Sequence, residues 1–270
     1  MQIRIITIRY ERRRGLKLGL EIRRFLFYTF ATSWIIWGSL ALLTQLNLLK
    51  FGNAIYMLLF ILGGITPAIC EIWLKKKYST KEEFKSFIHN VKNPKHPVSW
   101  YIFVIGLAFA TFFLPTLWGG ATMKNSMYLV LLELPIMIIG GGVEEIGWRG
   151  FLQPTLQKRW SPFTSTIIVG VIWAVWHLPL WFVIGSNQMN MNFLWFSLIT
   201  LALSFLLTII YLSTKSIFLC IIFHALTNSF WDVYVPVTNV SSGLLILLFA
   251  LFLFTVFEVY RKSNFQKRIV

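Results

Sequence analysis

Apolar residues fall into eight long stretches, near 25–48, 52–74, 99–118, 127–147, 163–184, 193–213, 217–231 and 241–260, separated by short polar segments. Most hold the roughly 20 consecutive residues that a helix needs to cross ~30 Å of hydrocarbon. The seventh is short. A helix satisfies its backbone amides within its own segment, and the chain lacks the roughly ten-residue alternation of a lipid-facing barrel. The pattern predicts an all-α fold, a polytopic membrane bundle of about eight transmembrane helices. It divides the chain into a basic segment over 1–24, one membrane domain over 25–260 and a basic tail over 261–270. The first stretch is too long for a signal-peptide core and no small-residue cleavage site follows it, so it is read as a span. The polar segment 75–98, with "KNPKHP", is read as a solvated connector in which His89 and His96 are ordinary loop residues.

Composition and charge sharpen this picture. Hydrophobic residues make up 57% of the 270, and only 10 acids face 25 Lys and Arg. With the N-terminus inside, 23 of the 25 basic residues fall on the cytoplasmic side, leaving only Lys50 and Lys124 outside. The positive-inside rule then places both termini in the cytoplasm. The basic excess reads as topology and contact with anionic lipid, not nucleic-acid binding, since no basic patch is interleaved with aromatics on a soluble domain. Cys70 and Cys220 lie inside expected helices, without disulfide or zinc-knuckle spacing, and read as packing residues.

Ionisable groups at bilayer depth are costly and face a cavity or a partner, so they are where chemistry is sought. The polar residues singled out are Glu71, Glu133, Glu144, Glu145, Arg149, His177, His224 and Asn228. Glu71 precedes Lys75 by one turn, which predicts an i,i+4 pair. Glu133 shares a face with Glu144 three turns on, unless Pro135 or the glycines at 140–142 break the register, and it reads as structural. In "VEEIGWRG", Glu145 and Arg149 are i,i+4 and predict a charge-assisted pair. Glu144 points about 100° away from it. With no matching partner in its own helix, Glu144 must take up a proton or find a group on another helix; alternatively, both carboxylates share Arg149. In "WAVWHLP", Trp173 stands one turn before His177 and Pro179 follows. This histidine reads either as a packed core residue or as part of a pocket that the proline opens. In "FHALTN", His224 and Asn228 share one face, suited either to stabilising an oxyanion or to an interhelical clasp.

The three stretches together resemble the family of intramembrane proteases that includes the eukaryotic prenyl-protein (CAAX) endopeptidase and the bacterial Abi, or bacteriocin-processing, proteins (the CPBP family). The resemblance rests on the ordered motifs EExxxR, FxxxH and HxxxN over roughly residues 130–230. Here they read Glu144-Glu145 to Arg149, Trp173 to His177 and His224 to Asn228, with Trp for Phe at 173. The resemblance implies peptide-bond hydrolysis by activated water inside an eight-helix bundle reached from the cytoplasmic side. It matches Glu144 and His177 to the water-activating pair and His224 and Asn228 to the oxyanion-stabilising pair, with Glu145, Arg149 and Trp173 in support. Thr227 and Ser229 lack the base and orienter of a triad. At 1.5 Å per residue, His177 comes out roughly 10 Å deeper than Glu144 and His224.

Glu144, His177 and His224 also offer three ligands for zinc with water as the fourth. No HExxH is present, however, and the ligands come from three helices, so metal-independent hydrolysis is favoured over a zinc cofactor. The expected partners are the lipid bilayer and a membrane-associated peptide or protein. The substrate classes implied are membrane-inserted peptides, pheromone or bacteriocin precursors and leader remnants, in a bacterial plasma membrane, with a prenylated CAAX protein not the default. Two other classes fit part of the pattern: a proton-coupled transporter, against which the absence of an inverted repeat counts, and a non-catalytic immunity protein that sequesters a peptide.

Overall fold

The computed structural model describes residues 2–118 and 121–266, with side chains from residue 18 onward except at 112, 115, 118, 121, 122, 236, 265 and 266, so the basic segments expected at 1–24 and 261–270 fall partly outside the described residues. Each apolar stretch is helical, and several helices begin where a short polar side chain accepts an otherwise unpaired backbone N–H. Asn53, Thr80, Ser161, Asn192 and Ser216 all do this, two or three residues before the N–H they cap. In chain order the helices are α1 (Gln2–Gln45), α2 (Ala54–Gly64), α3 (Thr66–Tyr78), α4 (Lys81–Lys92), α5 (Val98–Phe113) and α6 (Leu129–Gly140). They continue as α7 (Glu145–Gly147), α8 (Gln153–Leu156), α9 (Pro162–Trp176), α10 (Phe193–Thr214), α11 (Ile217–Val233) and α12 (Val240–Gln266). A two-stranded antiparallel ladder, β1 (Ala121–Met123) with β2 (Tyr234–Pro236), ties the segment before α6 to the end of α11.

Four of these segments are long and apolar enough to cross a membrane, at Leu18–Gln45, Pro162–Phe182, Phe193–Thr214 and Val240–Asn264. A fifth results if α2 and α3, bent by 50° at Ile65, count as one broken span; α5 and α11 are apolar but shorter. Large apolar side chains such as Phe27, Ile35, Leu131, Leu248 and Phe252 stand exposed on the outside. A soluble protein would have to cover such a surface, whereas lipid is a suitable solvent for it. Inside, α10 packs between α9 and α12, and α11 packs between α5 and α6. An aromatic wall fills the space beside α1, where Trp148 and Trp176 stack edge-on at 5.6 Å and Trp37 lies 4.7 Å from Trp176.

Three sequence expectations are corrected. The stretch 127–147 is not one helix: Pro135 is accommodated inside α6, and the chain breaks at Gly141, so the register from Glu133 to Glu144 is lost. The connector 75–98 contains α4, whose Thr80 and Glu83 form a reciprocal capping box and whose Phe87 and Val91 are buried. His89 is exposed on that helix. Lys75 does not pair with Glu71; its ammonium lies 5.8 Å over the Phe87 ring, and Glu71 is buried with one oxygen unpartnered. Cys70 and Cys220 are buried free thiols.

Candidate active site

The first motif lies where a helix fails to continue. After α6 ends, a 3₁₀ turn carries Glu144 and α7 carries Glu145. The Gln153 N–H then donates to Trp148 O, five residues back, opening a π-turn over Trp148–Leu152. Such turns redirect side chains and recur at functional sites. The segment nests against the start of α3 because residue 147 is glycine; a Cβ there would lie 2.7 Å from Pro67 O.

Glu145 and Arg149 are fully buried and form the expected pair, Nη1 to Oε2 at 2.9 Å. Arg149 Nη2 also donates to Ser204 Oγ on α10 at 3.0 Å. The other Glu145 oxygen, Oε1, accepts from His224 Nδ1 at 2.9 Å. One carboxylate therefore joins the π-turn to α11. Glu144 stands apart, forming no ion pair with Arg149 among the described residues. Its Oε2 accepts from Trp173 Nε1 at 2.8 Å on α9 and from Trp148 Nε1 at 3.4 Å. The expectation that Glu144 has no partner in its own segment is thus corrected: Trp148, four residues on, is one.

The second motif ends a helix. α9 stops at Trp176, and His177 leads into a 3₁₀ turn over Leu178–Phe182 because Pro179 has no N–H to continue the ladder. His177 Nδ1 donates to Trp173 O at 2.9 Å, which leaves Nε2 as the unprotonated nitrogen of the neutral ring. Trp37, Trp176 and Phe196 surround that ring at centroid distances of 5.9, 4.6 and 5.1 Å. His177 is linked to the other motifs through Trp173: its ring bonds the Trp173 backbone, and the Trp173 side chain reaches Glu144 and lies 5.1 Å from the His224 ring in an edge-on arrangement.

The third motif sits in the middle of α11. His224 is buried and Asn228, one turn on, is partly exposed. Both face the backbone at Gly141, where a Cβ would overlap Asn228 Nδ2 and lie 3.3 Å from His224 Nε2. Asn228 makes no side-chain hydrogen bond among the described residues, and neither does the outward nitrogen of His224. Two nitrogen atoms therefore converge on one small space that glycine keeps open.

The structure thus brings Glu144, Glu145, Arg149, Trp173, His177 and His224 into one buried cluster, with the partly exposed Asn228 beside His224 at its edge. Sequence reasoning missed Trp148, Gly141 and Ser204. Trp148 was accessible by the same i,i+4 spacing that found Glu145 and Arg149, but Ser204 left no local signal. Among the described residues, Glu144, His177 and His224, the set kept as the zinc alternative, do not form a group of three His, Cys, Asp or Glu side chains placed to share one ion.

The fold and cluster define a class, a multi-pass α-helical membrane protein with a cluster of polar side chains in its apolar interior. Residues 125–230, which contain all three motifs, match the family model described as "Type II CAAX prenyl endopeptidase Rce1-like". The "CAAX prenyl protease 2" of Methanococcus maripaludis is 30% identical over 222 residues, covering 74% of this chain and 80% of that protein. The chain belongs to the CAAX prenyl protease family, a family of proteases.

Proposed function

We propose that the protein is an endopeptidase that hydrolyses a peptide bond close to the membrane-anchored end of its substrate, with Glu144 as the base that activates water. The observation that carries this reading is the division between the two glutamates. Glu145 is neutralised by Arg149 and His224, whereas Glu144 faces only indole donors and keeps one oxygen, Oε1, without a hydrogen bond among the described residues. In the proposed sequence, Oε1 takes a proton from water as the water oxygen attacks the scissile carbonyl. Collapse of the tetrahedral intermediate breaks the C–N bond, and the same carboxyl returns the proton to the leaving amine. His224 Nε2 and Asn228 Nδ2 donate to the oxyanion from the space beside Gly141. With Nδ1 committed to Glu145, this role of Nε2 requires the ring to carry a proton on both nitrogens. His177, fixed by Trp173 O, presents Nε2 as an acceptor that orients the water. No step is routed through a metal.

The name of the Methanococcus relative, "CAAX prenyl protease 2", supports a prenylated CAAX protein or peptide as the proposed substrate class. This differs from the membrane peptides expected from sequence. A lipid-anchored chain end is already delivered to the bilayer in which these apolar helices lie. The test is to incubate the protein, reconstituted in vesicles, with a farnesylated CAAX peptide and its unprenylated counterpart. Release of the C-terminal fragment from the farnesylated peptide alone is expected, and should survive chelation. No cleavage of either peptide, alongside new peptide products in membranes of cells expressing the protein, would reassign the substrate. Stoichiometric zinc with metal-dependent recovery of activity would overturn the metal-free mechanism.

A further inference from the structure

Trp173 touches most of the cluster at once. Its indole N–H donates to Glu144, its carbonyl accepts from His177, its ring edge meets His224, and the Arg149 guanidinium carbon lies 5.4 Å over its face. Phe, which stands at this place in the motif FxxxH, keeps the last three contacts and lacks the first. An indole N–H only donates, so it neither removes a proton from a carboxyl group nor accepts one. Trp148 donates to the same oxygen, Oε2, from the π-turn. Two donors fixed on one oxygen of a buried carboxyl group make its two oxygens unequal.

We propose that Trp173, assisted by Trp148, is a positioning residue that clamps Glu144 Oε2 and thereby commits Oε1 to carrying the catalytic proton. This rests on the reading of Glu144 as the base. The clamp keeps the carboxyl group from rotating between proton uptake and proton delivery, so the oxygen that takes the proton from water is already aimed at the leaving amine. Trp173 bears the larger part because its bond is 2.8 Å, against 3.4 Å for Trp148, near the limit for a hydrogen bond.

The test replaces only the N–H. Incorporating benzothienylalanine at 173 keeps the bicyclic shape and substitutes sulfur for the donor. Loss of a hydrogen bond to a charged group predicts that kcat falls about 10- to 100-fold. KM should stay at the wild-type value, and Trp148→Phe should lower kcat less, although the smaller ring at this fully buried position also lowers its melting temperature. Wild-type kcat in the analogue, with Glu144→Gln inactive, would reduce Trp173 to a packing residue. Retained turnover in Glu144→Gln would instead defeat the reading of Glu144 itself. A second measurement needs neither activity nor the analogue. In indole-¹⁵N-labelled protein, the signal that disappears in Trp173→Phe is expected to move in Glu144→Gln; an unmoved signal would show that the bond is absent and overturn the proposal.

Discussion

At the scale of single residues, two adjacent carboxylates meet different neighbours. Glu145 lies between Arg149 and His224 with no exposed surface, so removing its charge leaves Arg149 buried beside a neutral amide. Breaking such a pair from one side typically costs about 3–5 kcal/mol. Glu145→Gln is therefore expected to lower the melting temperature markedly while leaving measurable turnover in the protein that remains folded; a melting temperature equal to wild type would contradict the pairing as described. Asn228 makes a different prediction, because its amide is free to meet the substrate. Removing one oxyanion donor costs roughly 100- to 1,000-fold in kcat, about 3–4 kcal/mol, with little change in KM. Asn228→Ala should show that split. Gly141→Ala should reproduce it, because the added Cβ would occupy the space of Asn228 Nδ2. Intact kcat with reduced stability in Asn228→Ala would make the α11 pair a packing clasp. The pairing of Glu145 with Arg149 was legible because both ends lie on one turn. The contact of Glu145 with His224, 79 residues away, was not, since nothing in local spacing reports it.

At the scale of elements, α4 supports the helix that carries His224. Asn90 Nδ2 donates to Lys215 O at 2.9 Å, and its Oδ1 accepts from Ile217 N at 3.0 Å. One side chain thus fixes the turn between α10 and α11. The α4 cap also sets a pH dependence. The Thr80 backbone N–H, and after it the Thr80 side chain, hold the exposed Glu83 carboxyl below the usual glutamate range. A depressed folded value gives stability that is present above the unfolded value and lost as pH falls through the folded one. The protection factor for amide exchange in the first turn of α4, taken relative to the intrinsic rate at the same pH, is therefore expected to fall on acidification and in Thr80→Ala, the latter by about 1 kcal/mol of cap stability. Exchange that is insensitive to both would contradict the capping role. The capping box was written in "TKEE", but a solvated loop was expected because this 12-residue helix buries only Phe87 and Val91. The break at Gly141 was anticipated by the run of glycines, whereas the π-turn after it has no signature in residue types.

At the scale of the whole molecule, the all-α bundle was legible from hydropathy alone, since eight apolar stretches leave few other folds available. The number of crossings is less direct, because α2 and α3 are bent, the α6 segment is broken, and α5 and α11 are short. Charge asymmetry still predicts the orientation. In a background where Cys70 and Cys220 are replaced by Ala, Lys50→Cys and Lys124→Cys should react with an impermeant thiol reagent added outside cells. Cysteines at His96 and Lys262 should react only after permeabilisation; the reverse pattern would invert the topology. What unites the three scales is the claim that this bundle buries a carboxylate in order to activate water. The most direct measurement is the single-turnover rate of Glu144→Gln on the farnesylated peptide, at a folded yield matched to wild type. General-base catalysis predicts a loss of roughly 100- to 10,000-fold with the peptide still bound. A rate within a few-fold of wild type would contradict the account.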